Sequence, residues 1–215
     1  MIEEPSVAAV ERETARYYDV EEGREARPLD PRRVTARERF VGIVRADGQV
    51  ERVLEIGTGA GRDALALVQA GLNVIGVDVS SGHAARAASR GLTVAVGSAR
   101  ALPFAAGSIG ALWSMSTLMH LPAVAIDGAM REIARVLAPG ATVAIGVWGG
   151  PDTEHFSDSP VDPPSGPRRL FSRRSEARWR SLLEVVGRID EFELWEDAAA
   201  DDAFRYHLAF VTAHR

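Results

Sequence analysis

The sequence predicts an α/β fold in three layers, built on a mostly parallel sheet of seven strands with an antiparallel last strand and preceded by N-terminal helices. From residue 53 onward, short runs rich in Val, Ile and Leu alternate with helical windows, as in βαβ units. A glycine-rich turn directly follows the first run. The last two runs are separated only by a short polar loop, which is typical of antiparallel neighbours.

Residues 1–48 are predicted to be an N-terminal helical leader, a lid that belongs to the same domain as residues 49–215. One helical pattern falls on Val7, Val10, Thr14, Tyr17 and Tyr18. A second falls on Val34, Arg37, Phe40, Val41 and Val44. Both precede the first predicted strand, so we expect helices that pack beside the sheet.

Five apolar runs predict the parallel strands: residues 53–57, 72–78, 92–97, 109–114 and 141–148. Between the fourth and fifth runs, one helical stripe is formed by Ile126, Met130, Ile133 and Leu137. We expect this helix to stop at the Pro-Gly pair of residues 139–140.

The C-terminal part is predicted to contain a loop, a helix and two closing strands. Residues 149–167 are rich in Gly, Pro, Ser and Asp, so we expect neither helix nor strand there. A helical stripe then ends at Gly187. Residues 188–195 and 205–213 are expected to pair as antiparallel strands. No internal repeat or second domain is predicted.

Composition excludes several classes of function. The chain of 215 residues has no cysteine, so disulfides, a thiolate nucleophile and Cys-ligated metals are excluded, and no metal site is predicted. The net charge of −5 argues against a nucleic-acid partner, although all 25 basic residues are arginine and many of them cluster at 24–45 and 168–180. No apolar stretch reaches about 18 residues, so we expect no membrane span and a cytoplasmic location. We expect a monomer or a homodimer.

The stretch VLEIGTGAGRDAL, residues 53–65, combines the first strand with three spaced glycines. Gly57, Gly59 and Gly61 allow a ligand to approach the main chain, at the strand end where open parallel sheets bind ligands. Asp78, at the end of the second strand, is placed to bind ribose hydroxyls. A dinucleotide site would show G-x-G-x-x-G, whereas here Glu55 precedes a different spacing and would repel a phosphate. The carboxylate favours a cationic ligand.

E-x-G-x-G-x-G followed by an acid at the end of the next strand resembles the pattern of class I S-adenosylmethionine (SAM)-dependent methyltransferases, which have a Rossmann-like sheet. Further segments resemble the type 11 methyltransferase domain: VIGVDVS at 74–80, GSARALPF at 97–104, SIGALWSMSTLMHL at 108–121 and AMREIARVLAPGATVAIGVW at 129–148. The resemblance covers roughly residues 50–213. It implies SAM as cofactor, S-adenosylhomocysteine as product, and methyl transfer by in-line displacement.

The resemblance also implies which residues bind the cofactor: Glu55, Gly57, Thr58, Gly59, Gly61, Arg62, Asp78, Val79, Ser98, Ala99, Arg100, Ser114 and Met115. Ser98 departs from the pattern, because many relatives place an aspartate there that accepts a hydrogen bond from the adenine amino group. A serine hydroxyl can accept one without charge assistance. Gly110 and Arg188 also replace residues usual in relatives, so substrate contacts are not transferred from them.

Methyl transfer depends mainly on holding the reactants in near-attack geometry, and a base is needed only when the nucleophile must lose a proton. His120, just after the fourth strand, is the candidate base or substrate contact, and His155 is the next candidate. Tyr17 and Tyr18 are candidates for a lid, and Trp148 for a wall of the substrate pocket.

We therefore expect a SAM-dependent methyltransferase acting on a small molecule. A protein or RNA methyltransferase remains open and would be favoured if the arginine clusters lined an exposed groove. A non-catalytic SAM-binding protein also remains open. A nicotinamide oxidoreductase is disfavoured by Glu55 and the glycine spacing.

Overall fold

The computed structural model describes residues 6–21, 28–157, 165–196 and 205–214. Its helices are α1 Val7–Val20, α2 Pro31–Asp47, α3 Arg62–Gln69, α4 Ser81–Ser89, α5 Ala123–Val136 and α6 Glu176–Val186, with a short 3-10 helix at Leu118–His120. Its strands are β1 Val53–Ile56, β2 Val74–Asp78, β3 Thr93–Val96, β4 Ile109–Met115, β5 Leu137–Trp148, β6 Thr153–Ser157, β7 Arg169–Arg173, β8 Gly187–Glu196 and β9 Arg205–Ala213.

Seven strands form the main sheet in the order β3-β2-β1-β4-β5-β9-β8. Strands β1 to β5 pair in parallel, whereas β9 runs antiparallel to both β5 and β8. The predicted fold class is therefore confirmed. Since the chain moves outward from β1 to β3 and then returns to β4, the strand order reverses between β1 and β4, and a crevice opens at their carboxyl ends.

Helices cover both faces of the sheet. On one face, α2 and α3 bury an apolar cluster that contains Phe40, Leu67 and Trp113. The rings of Phe40 and Trp113 lie 5.2 Å apart, so the leader helix α2 contributes directly to this core. On the other face, α5 and α6 bury a second cluster around Met130 and Trp179. The division into a leader of residues 1–48 and a domain of residues 49–215 stays a prediction.

Two predictions about the chain after α5 were wrong. Leu137 begins β5 instead of closing α5, because it pairs with Ile109 of β4. The register between β4 and β5 then shifts, and the next pair is Ala111 with Thr142. The predicted loop of residues 149–167 contains the strand β6, which forms a two-stranded sheet with β7. The polar composition of β6 hid it, since its residues are exposed or half-buried. Residues 158–164 of that loop lie outside the described residues.

Candidate functional site

In the glycine-rich turn between β1 and α3, the main chain lies very close to neighbouring side chains. Gly57 has a φ of 77°, and a Cβ there would lie 1.9 Å from Oγ1 of Thr117. Gly61 has a φ of 87°, and its Cβ would lie 2.2 Å from Leu92. Both positions therefore exclude any side chain, for reasons of backbone angle and of space.

Asp78 ties this turn to the end of β2. Its carboxylate accepts hydrogen bonds from the backbone N–H of Gly59 at 2.7 Å and from that of Ser80 at 2.9 Å. Burial raises the pKa of Asp78, and the two backbone hydrogen bonds only partly offset that effect. The carboxylate therefore lies fixed at the mouth of the crevice.

Glu55 lies in β1, directly below the turn, and only 2% of it is exposed. Within the described residues, its Oε2 atom has no hydrogen-bond partner. Burial, and then the negative charge of Asp63, raises the pKa of Glu55 well above its ordinary value. A buried carboxyl with one unsatisfied oxygen is stabilised in its ionised form by a cation nearby, which is the ligand charge that the sequence predicts.

A cavity of about 360 Å³ opens above the turn. Of the predicted site residues, those that line it are Tyr18, Gly57, Thr58, Gly59, Arg62, Asp78, Val79, Ser98, Ala99, Met115, His120 and Trp148. The cavity thus has one half at the ends of β1, β2 and β3, which we call the glycine half, and one at the ends of β4 and β5, which we call the aromatic half.

Six predicted residues lie outside the set that lines the cavity: Tyr17, Glu55, Gly61, Arg100, Ser114 and His155. The hydroxyl of Ser114 donates to the carbonyl of Ile56, so this residue ties β4 to β1. His155 is exposed on β6, where it stacks on Phe171 with ring centroids 5.5 Å apart. Tyr17 packs its ring edge against that of Tyr18.

Tyr18 and His120 meet across the cavity. The Tyr18 hydroxyl lies 2.7 Å from Nε2 of His120, and Nδ1 of His120 lies 2.6 Å from the carbonyl oxygen of Leu170. Because a carbonyl only accepts, Nδ1 carries a proton, so in the neutral form of the ring Nε2 accepts the hydrogen bond of Tyr18. Arg169 donates to the same Tyr18 oxygen at 2.9 Å. The pair can therefore pass a proton from Tyr18 to His120.

Arg169 also holds helix α1 in place. We call this helix the cover, because its residues Glu11, Thr14 and Tyr18 line the cavity. The Arg169 guanidinium lies 4.6 Å from the ring centroid of Tyr17 and 4.7 Å from that of Phe171. These cation–π contacts hold α1 against β7. Farther along α1, Asp19 accepts hydrogen bonds from the Ser80 hydroxyl and the Gly82 backbone at the start of α4. Helix α1 therefore bridges from β7 to α4.

The far wall of the aromatic half consists of three rings. Trp195 stacks on Tyr206 with ring centroids 5.1 Å apart, and Trp148 meets Tyr206 edge-on at 5.3 Å. The Tyr206 hydroxyl lies 3.3 Å from that of Ser116. Burial raises the pKa of Tyr206, which keeps the phenol neutral.

A buried charge cluster lies behind the turn. Asp63, on α3, accepts hydrogen bonds from Arg33 at 2.6 Å, Arg37 at 2.7 Å and the indole of Trp113 at 2.9 Å. Burial raises the pKa of Asp63, but the charge of Arg33 and the three donors outweigh it, so the net pKa lies below the ordinary value. The cluster fastens α2 to α3, and Arg33 itself lines the cavity.

Sequence reasoning missed several residues that line the cavity, among them Glu11, Asp30, Arg33, Ser116, Trp195 and Tyr206. Arg33 belongs to a cluster that was interpreted only as a charge pattern. Tyr206 and Trp195 lie in the two closing strands, whose predicted antiparallel pairing gives no sign of a ligand. The positive φ of Ser116, 57°, also has no counterpart in composition.

Comparisons with known proteins support the sequence-based interpretation. Residues 53–140 match the family model of a methyltransferase domain. The methyltransferase GfsG of Streptomyces halstedii is 36% identical over 103 residues, which is 44% of this chain and 36% of that protein. The match thus spans about a third of the length of the curated relative.

Solved structures share the fold. A SAM-dependent methyltransferase of Methanosarcina mazei superposes with a TM-score of 0.66 at 19% identity, over 78% of this chain and 94% of the other. The 1,6-didemethyltoxoflavin-N1-methyltransferase of Burkholderia thailandensis, solved with its acceptor and S-adenosylhomocysteine, gives 0.61 at 18%, over 84% and 79%. The [4+2]-cyclase SpnF gives 0.60 at 20%, over 82% and 80%. The predicted resemblance to the SAM-dependent methyltransferases is confirmed by the methyltransferase-domain match over residues 53–140 and by the shared fold.

Proposed function

Because this chain has the fold of the class I SAM-dependent methyltransferases and a methyltransferase-domain sequence in residues 53–140, we propose that it transfers a methyl group from SAM to a small-molecule acceptor. The observation that carries the proposal is the cavity itself. Its glycine half fits the cofactor, its aromatic half fits an acceptor, and the Tyr18–His120 pair lies where the halves meet. When bound, SAM supplies an electrophilic methyl group on a sulfonium cation.

The glycine half has the donors and acceptors that such a cofactor needs. The backbone at Gly57 is bare, and the Asp78 carboxylate faces the cavity from the end of β2. Two hydroxyls on adjacent ribose carbons are matched by the two oxygens of one carboxylate. The buried Glu55 carboxyl, whose Oε2 has no hydrogen-bond partner among the described residues, can supply compensating negative charge below the turn once it is ionised.

We propose that Tyr18 is the group that takes a proton from the acceptor and that His120 receives it. Tyr18 lines the cavity, and its hydroxyl already lies within hydrogen-bond distance of Nε2 of His120. Arg169 stabilises negative charge on that oxygen. This assigns the acceptor atom to an alcohol, phenol, amine or carbon acid, since a thiolate or carboxylate arrives ionised and needs no base.

The three rings of Trp148, Tyr206 and Trp195 favour an acceptor with a flat apolar part, because stacking against them contributes beyond burial alone. The nearby positive charge of Arg33 disfavours a cationic acceptor. GfsG is described as a methyltransferase, and the Burkholderia enzyme is solved with bound 1,6-didemethyltoxoflavin, a small molecule.

A macromolecular acceptor is the weaker alternative, because several described arginines of the two clusters form ion pairs within the chain, and others contact backbone carbonyls or aromatic rings. Arg39 pairs with Glu191, and Arg178 lies 2.5 Å from Asp127. Paired guanidinium groups do not form the exposed basic groove that a nucleic acid requires. Arg24 and Arg27 lie outside the described residues. The cytoplasmic location and the monomeric or homodimeric state also stay predictions.

A second candidate is a SAM-binding protein that does not transfer the methyl group, since a [4+2]-cyclase shares this fold. A screen separates the two: the protein is incubated with a metabolite pool and SAM labelled in its methyl group, and mass spectrometry finds any metabolite that gains the label. Titration calorimetry with S-adenosylhomocysteine and NAD accompanies it. We expect binding of the first ligand alone, a labelled product, and at least about tenfold weaker binding for Asp78→Ala.

Binding without any labelled product would support the second candidate. Absence of S-adenosylhomocysteine binding would reject both. Normal turnover of His120→Ala with the identified acceptor would remove His120 from the mechanism while leaving the cofactor assignment unaffected.

A further inference from the structure

A carboxylate from the cover helix α1 reaches the glycine half of the cavity. Glu11 lines the cavity beside Ser98 and Ala99, and its side chain is only 14% exposed. Its Oε1 atom accepts hydrogen bonds from the Ser98 hydroxyl at 2.5 Å and from Nε of Arg100 at 3.2 Å. A residue of the leader is thus bonded to the loop that follows β3.

These contacts leave one strong acceptor at this end of the cavity. The Ser98 hydroxyl has a single proton, which it donates to Glu11, and its oxygen already accepts the Arg100 backbone N–H at 3.1 Å. Both contacts of Glu11 use Oε1, and among the described residues no donor is recorded for its Oε2. Glu11, and not Ser98, is therefore equipped to accept a charge-assisted hydrogen bond from a ligand.

The position of Glu11 does not depend on this contact alone. Helix α1 is also held by Asp19, which accepts from the start of α4, and by Glu13, which accepts the Arg168 backbone N–H at 3.1 Å. Neither Asp19 nor Glu13 belongs to the set of residues that line the cavity. The position of α1 therefore does not rest on the Glu11 contact alone.

We propose that Glu11 is a specificity-determining residue that accepts a hydrogen bond from the exocyclic amino group of adenine. The inference rests on the proposed binding of SAM at the glycine half. Adenine presents a donor at its exocyclic amino group, whereas hypoxanthine presents an oxo acceptor at the same position and carries its N1–H donor one ring atom away. A carboxylate that contacts this exocyclic position therefore attracts the first base and repels the second. Because the carboxylate belongs to α1, cofactor binding also holds the cover closed.

The test compares two ligands on three proteins of full length. The ligands are S-adenosylhomocysteine and its hypoxanthine analogue, S-inosylhomocysteine, and titration calorimetry measures both dissociation constants. Wild-type protein should bind the adenine compound at least about tenfold more tightly, the scale of one charge-assisted hydrogen bond. In Glu11→Gln the preference should fall to about twofold, because an amide can also donate to the oxo group.

Glu13→Gln is the matched control, since it weakens the docking of the same helix without touching the cavity end. It should weaken both ligands equally and keep the tenfold preference. If Glu11→Gln lost its fold, Glu11→Asp would replace it, because the shortened carboxylate should also lose the preference. An unchanged preference in a folded Glu11 variant would overturn the inference and leave the proposed function standing. Failure of the wild type to bind S-adenosylhomocysteine would overturn both.

Discussion

The glycine half and the aromatic half of the cavity are built in different ways. In the glycine half, Gly57, Gly59 and Asp78 belong to one βαβ unit, and the Gly59 backbone N–H donates to the Asp78 carboxylate. Tyr206 of the aromatic half and Tyr18, where the halves meet, come from opposite ends of the chain. The first half is therefore fixed by local structure, and the second by how distant elements dock.

Because the two halves are built differently, we expect cofactor binding and methyl-transfer rate to respond to different substitutions. Changes in the glycine half should alter the affinity for the cofactor, since its atoms face that ligand. Changes in the aromatic half should alter the rate with the acceptor and leave cofactor affinity alone. The buried cluster around Asp63 connects the two halves, because it fastens Arg33 of the leader to the helix that begins at the glycine turn.

The largest effect is expected at Asp63, on stability. Replacement by Ala leaves Arg33, Arg37 and the Trp113 indole without their common acceptor. Removing one member of a buried ion pair typically costs about 3–5 kcal/mol. Urea unfolding followed by circular dichroism should show a loss of that size in Asp63→Ala.

Asp127→Ala is the control for the same residue type. Its ion pair with Arg178 is about 40% exposed on both sides. Exposed pairs contribute less than about 1 kcal/mol, so this variant should unfold close to the wild type. Equal losses in the two variants would contradict the assignment of Asp63 as the fastening between the halves.

Tyr18→Phe should reduce turnover about a hundredfold, the lower range of general acid–base contributions. The hydroxyl that links the acceptor to His120 is lost, while the ring still packs on α4 and β7. The measurements are kcat with the acceptor from the labelling screen and the Kd of S-adenosylhomocysteine, which should change less than about twofold.

Tyr17→Phe provides the comparison, because this neighbour lies outside the set of residues that line the cavity. It should keep both constants near those of the wild type. A normal kcat in Tyr18→Phe would show that the aromatic half orients the acceptor without proton transfer.

Gly57→Ala should weaken cofactor binding by about tenfold, or about 1.4 kcal/mol. The new Cβ would require Thr117 to move, at a backbone φ of 77° that disfavours alanine. Calorimetry with S-adenosylhomocysteine measures the effect. Gly128→Ala, in α5 with open space around it, should leave affinity unchanged. Wild-type affinity in Gly57→Ala would show that the turn tolerates a side chain.

The sequence predicts the glycine half better than the aromatic half, because the first is built from local structure and the second from the docking of distant elements. Strands β1 and β2 and the turn follow from local spacing and from glycine conformations. Tyr206 and Arg33 reach the cavity through pairing and docking over long chain separations, which leave no local pattern. Strand β6 was missed because its residues do not alternate between buried and exposed.

The smallest expected effect comes from the charge of Glu55 below the glycine half. It is measured by comparing the affinities of the protein for SAM and for S-adenosylhomocysteine. The two ligands share every titrating group, and only SAM carries the sulfonium. Burial and Asp63 raise the pKa of Glu55 well above its ordinary value of 4.5, so this carboxyl is still protonated at a pH where exposed carboxyls are ionised. As the pH rises through the raised pKa, Glu55 gains its negative charge and should favour the sulfonium.

The ratio of SAM affinity to S-adenosylhomocysteine affinity should therefore increase with pH by about threefold, the scale of one charge acting through a partly screened site. Calorimetry across that window, within the range where the protein is folded, measures the ratio. Glu55→Gln should make it independent of pH, whereas the exposed control Glu51→Gln should keep the increase. A flat ratio in the wild type would mean that Glu55 stabilises the turn without interacting with the ligand charge, and the acid before the glycines would then be structural.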